Sequence, residues 1–110
     1  MIEKMQDSQM DEVMHIWLEA TIKGHPFIGR EYWQANYEVV KTQYLPIAKT
    51  FIYKEEEQIQ GFISIIEDSF IGALFVDVKT QGKGIGRALV EYCQSQYKTL
   101  ELAVYVENKQ

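Results

Sequence analysis

The sequence predicts an α+β fold: a mixed, mainly antiparallel sheet flanked by helices, with elements in the order β-α-α-β-β-β-α-β. Three observations predict it. The first half of the chain holds two stretches whose apolar residues recur at helical spacing. From Thr50 onward the period shortens to that of strands. A glycine-dense turn then leads from an apolar run into a third helical stretch and a last strand, which is a β-α-β crossover.

Each element has its own signal. Residues 1–5 read as a short first strand. Asp7 or Ser8 can cap a helix whose apolar positions are Met10, Val13, Met14, Trp17, Leu18 and Ile22. Gly24, Pro26 and Gly29 break it. A second helix is predicted from about Arg30 to Tyr44, with Trp33, Tyr37, Val40 and Tyr44 on one face and Pro46 ending it. Thr50 to Lys54 and Ile59 to Ile66 are β-rich runs joined through Glu55-Glu56-Glu57-Gln58, hence a hairpin. Asp68-Ser69 and Gly72 mark a further turn, and Ala73 to Val78 is a third apolar run. After the loop Lys79 to Gly84, the residues Ile85, Ala88, Leu89, Tyr92 and Cys93 define a helix ending near Lys98. Thr99 to Val106 reads as the last strand, with Leu100, Leu102, Val104 and Val106 on one face.

Composition narrows the function classes. A chain of 110 residues makes one domain, taken as residues 1–110, with room for a layered core. Its net charge of −5 argues against nucleic acid and anionic membrane surfaces, both of which reward clustered Lys and Arg. It suits a cationic partner such as an amine. Cys93 is the single cysteine, so no intrachain disulfide and no cysteine-based metal site can form. The longest apolar runs, about five residues, are far too short to span a bilayer. The N-terminus lacks the pattern of a signal peptide, so a cytoplasmic location is expected.

The informative segment is Leu74-Phe75-Val76-Asp77-Val78-Lys79-Thr80-Gln81-Gly82-Lys83-Gly84-Ile85-Gly86-Arg87-Ala88-Leu89. A buried strand enters a glycine-rich turn that opens straight into an amphipathic helix. Glycines let the backbone approach a ligand closely, and the first helical turn presents unpaired N–H groups at the positive end of its dipole. Such a junction is a cradle for phosphate or pyrophosphate, to which Lys83 and Arg87 can add charge. The nucleotide patterns do not fit. A P-loop needs Gly-Lys-Ser/Thr five positions after its first Gly, and the dinucleotide fingerprint needs a third Gly there; Arg87 occupies that place relative to Gly82.

What does fit is a Gln/Arg-x-x-Gly-x-Gly/Ala loop, present as Gln81-Gly82-Lys83-Gly84-Ile85-Gly86 between Leu74-Phe75-Val76-Asp77-Val78 and Arg87-Ala88-Leu89-Val90. Here the sequence resembles the GNAT N-acetyltransferases, and the order of elements extends the resemblance over essentially the whole chain. The resemblance implies an acyltransferase that moves an acetyl group from acetyl-CoA to a primary amine of a small molecule or peptide. It implies that the amides of Gly82, Lys83, Gly84, Ile85, Gly86 and Arg87, with Gln81, hold the pyrophosphate of coenzyme A. The main chain of Val76, Asp77 and Val78 would pair with the pantetheine arm as an added strand would. The last strand would splay from the Ala73–Val78 strand to leave a slot for the arm, and Asn108 stands where the family often places a cofactor-contacting asparagine.

Acetyl transfer needs a base for the amine, a donor for the carbonyl oxygen and a proton for the departing thiolate. The resemblance assigns the carbonyl to a backbone amide near Val76. It places the thiolate's tyrosine on a further helix, beyond Val106-Glu107-Asn108-Lys109-Gln110; the usual last helix and two strands are expected to be missing from this shortened chain. Candidate bases are His25, in the loop between the first two helices, and Glu67, beside Asp68 after the central strand. His15, Trp33 and Cys93 read as structural, and Phe27 and Tyr32 as possible pocket residues. The final strand would be a free edge, through which two copies of the chain could pair. Two alternatives stay open from sequence: a module that binds coenzyme A without turnover, and an interaction domain without ligand.

Overall fold

The computed structural model describes residues 1–97 and 101–102. The described elements are β1 (Ile2–Lys4), α1 (Met10–Gly24), α2 (Arg30–Val39), β2 (Lys49–Glu55), β3 (Gln58–Ile66), β4 (Phe70–Val76), α3 (Ile85–Gln96) and β5 (Glu101–Leu102). Their order is the predicted one. Among the described residues the strands form one sheet in the order β1-β2-β3-β4-β5. Each of the first four runs antiparallel to its neighbour, and β5 lies parallel to β4, pairing Phe70 with Glu101 and Ile71 with Leu102.

Helices cover both faces of this sheet. Val13, Met14, Ile16 and Trp17 of α1 pack with Ile52, Ile59 and Phe62, and Trp33 and Tyr37 of α2 pack against that cluster. On the opposite face Ile85, Leu89 and Cys93 of α3 pack with Ile63, Ile65 and Ile71. β3 is therefore buried on both sides, which is why Gly61 through Ile65 are all buried instead of alternating. Thr50 and Ser64, directly opposite each other, close a 2.8 Å hydroxyl pair inside the sheet.

Several local expectations need correction. Neither Asp7 nor Ser8 caps the first helix. A turn of 3-10 helix, Asp7–Gln9, leads into α1, and the Gln6 N–H donates to Gln9 Oε1 at 2.7 Å, satisfying a donor at the helix start. The second helix reaches the predicted Tyr44 but changes its winding on the way: it is an α-helix to Val39 and a π-turn over Val40–Tyr44, and a 3-10 turn, Leu45–Ile47, with Pro46 inside it, follows. Gly72 belongs to no turn. It is the extra residue of a bulge within β4, where Ser64 pairs with Ala73 and Ile65 with Ile71. A Cβ there would lie 2.3 Å from Ile66 Cδ1 and 2.9 Å from its Cγ1, so a larger residue would require the Ile66 side chain to move. β4 consequently starts at Phe70 and ends at Val76, not Val78. The third helix ends at Gln96, short of Lys98. Of the predicted last strand only Glu101–Leu102 is described, so its splay, the proposed pairing edge and Asn108 lie outside the described residues.

Candidate functional site

The strand–loop–helix junction is built from the end of β4 upward. The Asp77 N–H donates to Gln60 O at 2.8 Å, holding the strand end to β3. The chain then folds on Asp77 itself. Its Oδ1 accepts from the Lys79 N–H at 2.9 Å and its carbonyl from the Thr80 N–H at 2.9 Å, with Thr80 Oγ1 at 3.2 Å. This is an Asx-type turn. Thr80 was not singled out from sequence; Asp77 itself, whose side chain can accept from the N–H two residues on, is the signal for such a turn.

The second half of the loop is open. Gly82 has φ +86° and Gly84 φ +80°, and a Cβ at either would meet nothing within 4 Å. Their requirement is therefore conformational, set by the left-handed backbone that brings the chain into α3. Gly84 stands at the N-terminal boundary of α3. Its carbonyl accepts the Ala88 N–H at 3.0 Å, and among the described residues that is the next amide after Thr80 to be bonded within the protein. Among the described residues, none of the N–H groups from Gln81 to Arg87 donates a hydrogen bond within the protein. Gln81, Gly82, Lys83 and Gly84 are exposed, and no acidic residue sits in the first turn of α3. A row of free donors at a positive helix end is what an anionic diphosphate requires. The residues present fit such a group.

The side chains divide unevenly. Lys83 makes no ion pair among the described residues, whereas Arg87 Nε contacts Glu91 Oε2 at 3.1 Å and is partly neutralised there. Gln81 does not reach outward: its Nε2 donates to Val76 O at 3.2 Å. Asp77 likewise spends its carboxylate on the turn. Ile85 is buried in the core, so only its main chain faces the junction.

Beside the junction a groove of about 440 Å³ opens between α1 and the sheet, lined by Glu12, His15, Glu19, Ile59, Asp77 and Val78 among others. His15 is exposed and lines this groove; it is not the structural residue that its place beside the apolar stripe suggested. Glu12 Oε2 accepts from the Ile59 N–H at 3.1 Å. The N-terminal half of α1 thus lies by the glycine-loop end of β4. Gly24 is five residues beyond Glu19, about 8 Å farther along the helix axis, so His25 sits away from the loop. Glu67 also sits away from it, in the exposed β3–β4 turn with φ +55°, separated by the length of β4, about 20 Å. His25 packs on Trp33 with ring centroids 5.3 Å apart. Trp33 is set edge-on to Trp17 at 6.4 Å, and its buried Nε1 has no hydrogen-bond partner among the described residues. Phe27 is 99% exposed, and Tyr32 is half exposed at 56% while meeting Trp33 at 4.8 Å.

The sequence pattern of the acetyltransferase (GNAT) domain matches residues 9–109. The chain belongs to the GNAT acetyltransferase family. The peptidyl-lysine N-acetyltransferase YiaC of Escherichia coli (strain K12) is 38% identical over 109 residues, which cover 99% of this chain and 75% of YiaC. YjaB of the same strain, also a peptidyl-lysine N-acetyltransferase, is 29% identical and 74% covered. The solution structure of apo YjaB superposes with a TM-score of 0.78 at 28% identity, over 93% of this chain and 69% of that one. PaiA N-acetyltransferase of Thermoplasma acidophilum, solved with coenzyme A, shares the fold with a TM-score of 0.83 at 16% identity, over 99% of this chain and 81% of PaiA. GNAT enzymes use acetyl-CoA, which agrees with a junction whose free amides fit a diphosphate. Among the described residues no helix is long and apolar enough to cross a membrane.

Proposed function

We propose that residues 1–110 form one acetyltransferase unit that moves an acetyl group from acetyl-CoA to the side-chain amine of a peptidyl lysine. The observation that carries the donor half is the unbonded amide row from Gln81 to Arg87 at the mouth of α3. Those amides, with Lys83, would hold the diphosphate, and the glycine backbone lets it approach. The main chain at Val76, Asp77 and Val78 would flank the arm. When bound, acetyl-CoA supplies an activated thioester.

Two things support lysine in a peptide as the acceptor. YiaC and YjaB, with which this chain shares nearly its whole length, are peptidyl-lysine N-acetyltransferases. The net charge of −5 also favours approach by cationic segments. The incoming ammonium must lose a proton before it can attack. His25, held in a tilted ring contact with Trp33, and Glu67, exposed in its turn, are the proposed bases. Both lie away from the glycine loop, on the side toward which an arm laid along β4 would run.

The test is thiol release from acetyl-CoA with an N-terminally blocked lysine peptide, compared with free small amines, after a thermal-shift titration with acetyl-CoA. A saturable rise in melting temperature followed by peptide-dependent thiol release is expected. No shift at millimolar acetyl-CoA would contradict the donor site; turnover with small amines alone would contradict the peptide acceptor.

A further inference from the structure

Gln81 opens the glycine loop, yet its side chain does not face the place where a ligand's diphosphate would sit. Its carboxamide donates to Val76 O at 3.2 Å, bridging back over five residues to the last residue of β4. That carbonyl is available because of strand geometry. Asp77 turns its N–H toward β3, so Val76 directs its own peptide groups to the other side of β4.

The loop therefore has two ties of different kinds. Asp77 and Thr80 fix the first half through the turn described above. The second half contains Gly82 and Gly84, both at positive φ, where no neighbouring atom would crowd a Cβ. Glycines in open space lose the most conformational freedom when held in one arrangement. Among the described residues, Gln81 supplies the one side-chain hydrogen bond that anchors this half to the sheet. It does so with a neutral group, which leaves the positive potential at the start of α3 unopposed.

We infer that Gln81 is a positioning residue: by gripping the Val76 carbonyl, its carboxamide sets the angle at which the amides from Gly82 to Arg87 converge on the diphosphate. The inference rests on the reading that these amides bind coenzyme A, and adds how they are held ready for it. Preorganisation of this kind appears as ligand affinity, because a loop left to order itself draws on the binding energy.

Isothermal titration with coenzyme A tests it on the full chain. Gln81→Met keeps the length but loses the donor, and its affinity is expected to fall about threefold to tenfold, the worth of one neutral hydrogen bond. Gln81→Arg, which can donate to the same carbonyl, restores affinity. The comparison is repeated in about 1 M salt, where screening over about 3 Å strongly weakens direct attraction of the new charge for phosphate. Wild-type affinity in Gln81→Met would overturn the inference alone. Tighter binding there would too, by showing that the carboxamide competes with the ligand for Val76. A loss that Gln81→Arg does not repair in high salt would count against it as well. If the wild type itself fails to bind coenzyme A, the donor-site reading falls first and this one with it.

Discussion

Cys93 lies on the face of α3 that packs against the sheet, with 0% of its surface exposed. Burial pushes its thiol from the ordinary 9.0 up to about 11. Between those values the folded chain keeps a proton that the unfolded chain releases. The contribution to stability is thus complete below pH 9.0 and is lost as pH rises toward about 11. Thermal melts across that range should show a falling melting temperature, and Cys93→Ala should flatten the slope. The same burial makes the native thiol inert to alkylation at pH 8 until denaturant is added. That Cys93 is a packing residue was readable from its place in the i, i+3, i+4 stripe of α3. The engagement of Gln81 with Val76 was not readable, since a surface carboxamide can reach many acceptors and only loop geometry selects one. His15 misled for the opposite reason: its helical position adjoins the apolar stripe, but the helix rotates it to the groove.

At the level of elements, the two hairpins share a device. Glu56 and Glu57 take φ +52° and +69°, and Glu67 and Asp68 take +55° and +59°. Left-handed pairs of this kind match the twist of antiparallel strands, at a cost of about 1 kcal/mol or more for each non-glycine residue. The polar runs announced both turns; their handedness was not visible, because acidic residues are not the usual signal for it. The Gly72 bulge was mistaken for a turn on similar grounds, as glycine marks either in sequence. Within the sheet, the Thr50–Ser64 pair allows a sharp test. Thr50→Val strands the buried Ser64 hydroxyl and should cost about 1–3 kcal/mol, measured by denaturant unfolding. Adding Ser64→Ala should recover part of that loss, because no unsatisfied group then remains. A double variant worse than the sum of the two singles would contradict the pair.

Across the described residues, helices cover both faces of the sheet, and the proposed ligand site is the main chain at the end of β4 and in the loop after it. The two core clusters hold β3 from either side, and α3 is fastened to the sheet through Ile85 and Leu89. The N-terminus of α3 is therefore fixed relative to β4, and the free amides point from a rigid base. The fold order and this junction were legible because each depends on local patterns: periodicity, glycine spacing, and the change from strand to helix. The proposed acceptor side was less legible because His25 and Glu67 are far apart in sequence and their surroundings come from tertiary contacts such as the tilted His25–Trp33 ring pair. The most direct measurement is a ¹H–¹⁵N correlation titration of the chain with coenzyme A. Saturable shifts concentrated in the amides of Gly82, Lys83, Gly84, Ile85, Gly86 and Arg87 are predicted. Amides there that stay unmoved while coenzyme A binds elsewhere, or does not bind, would contradict the account.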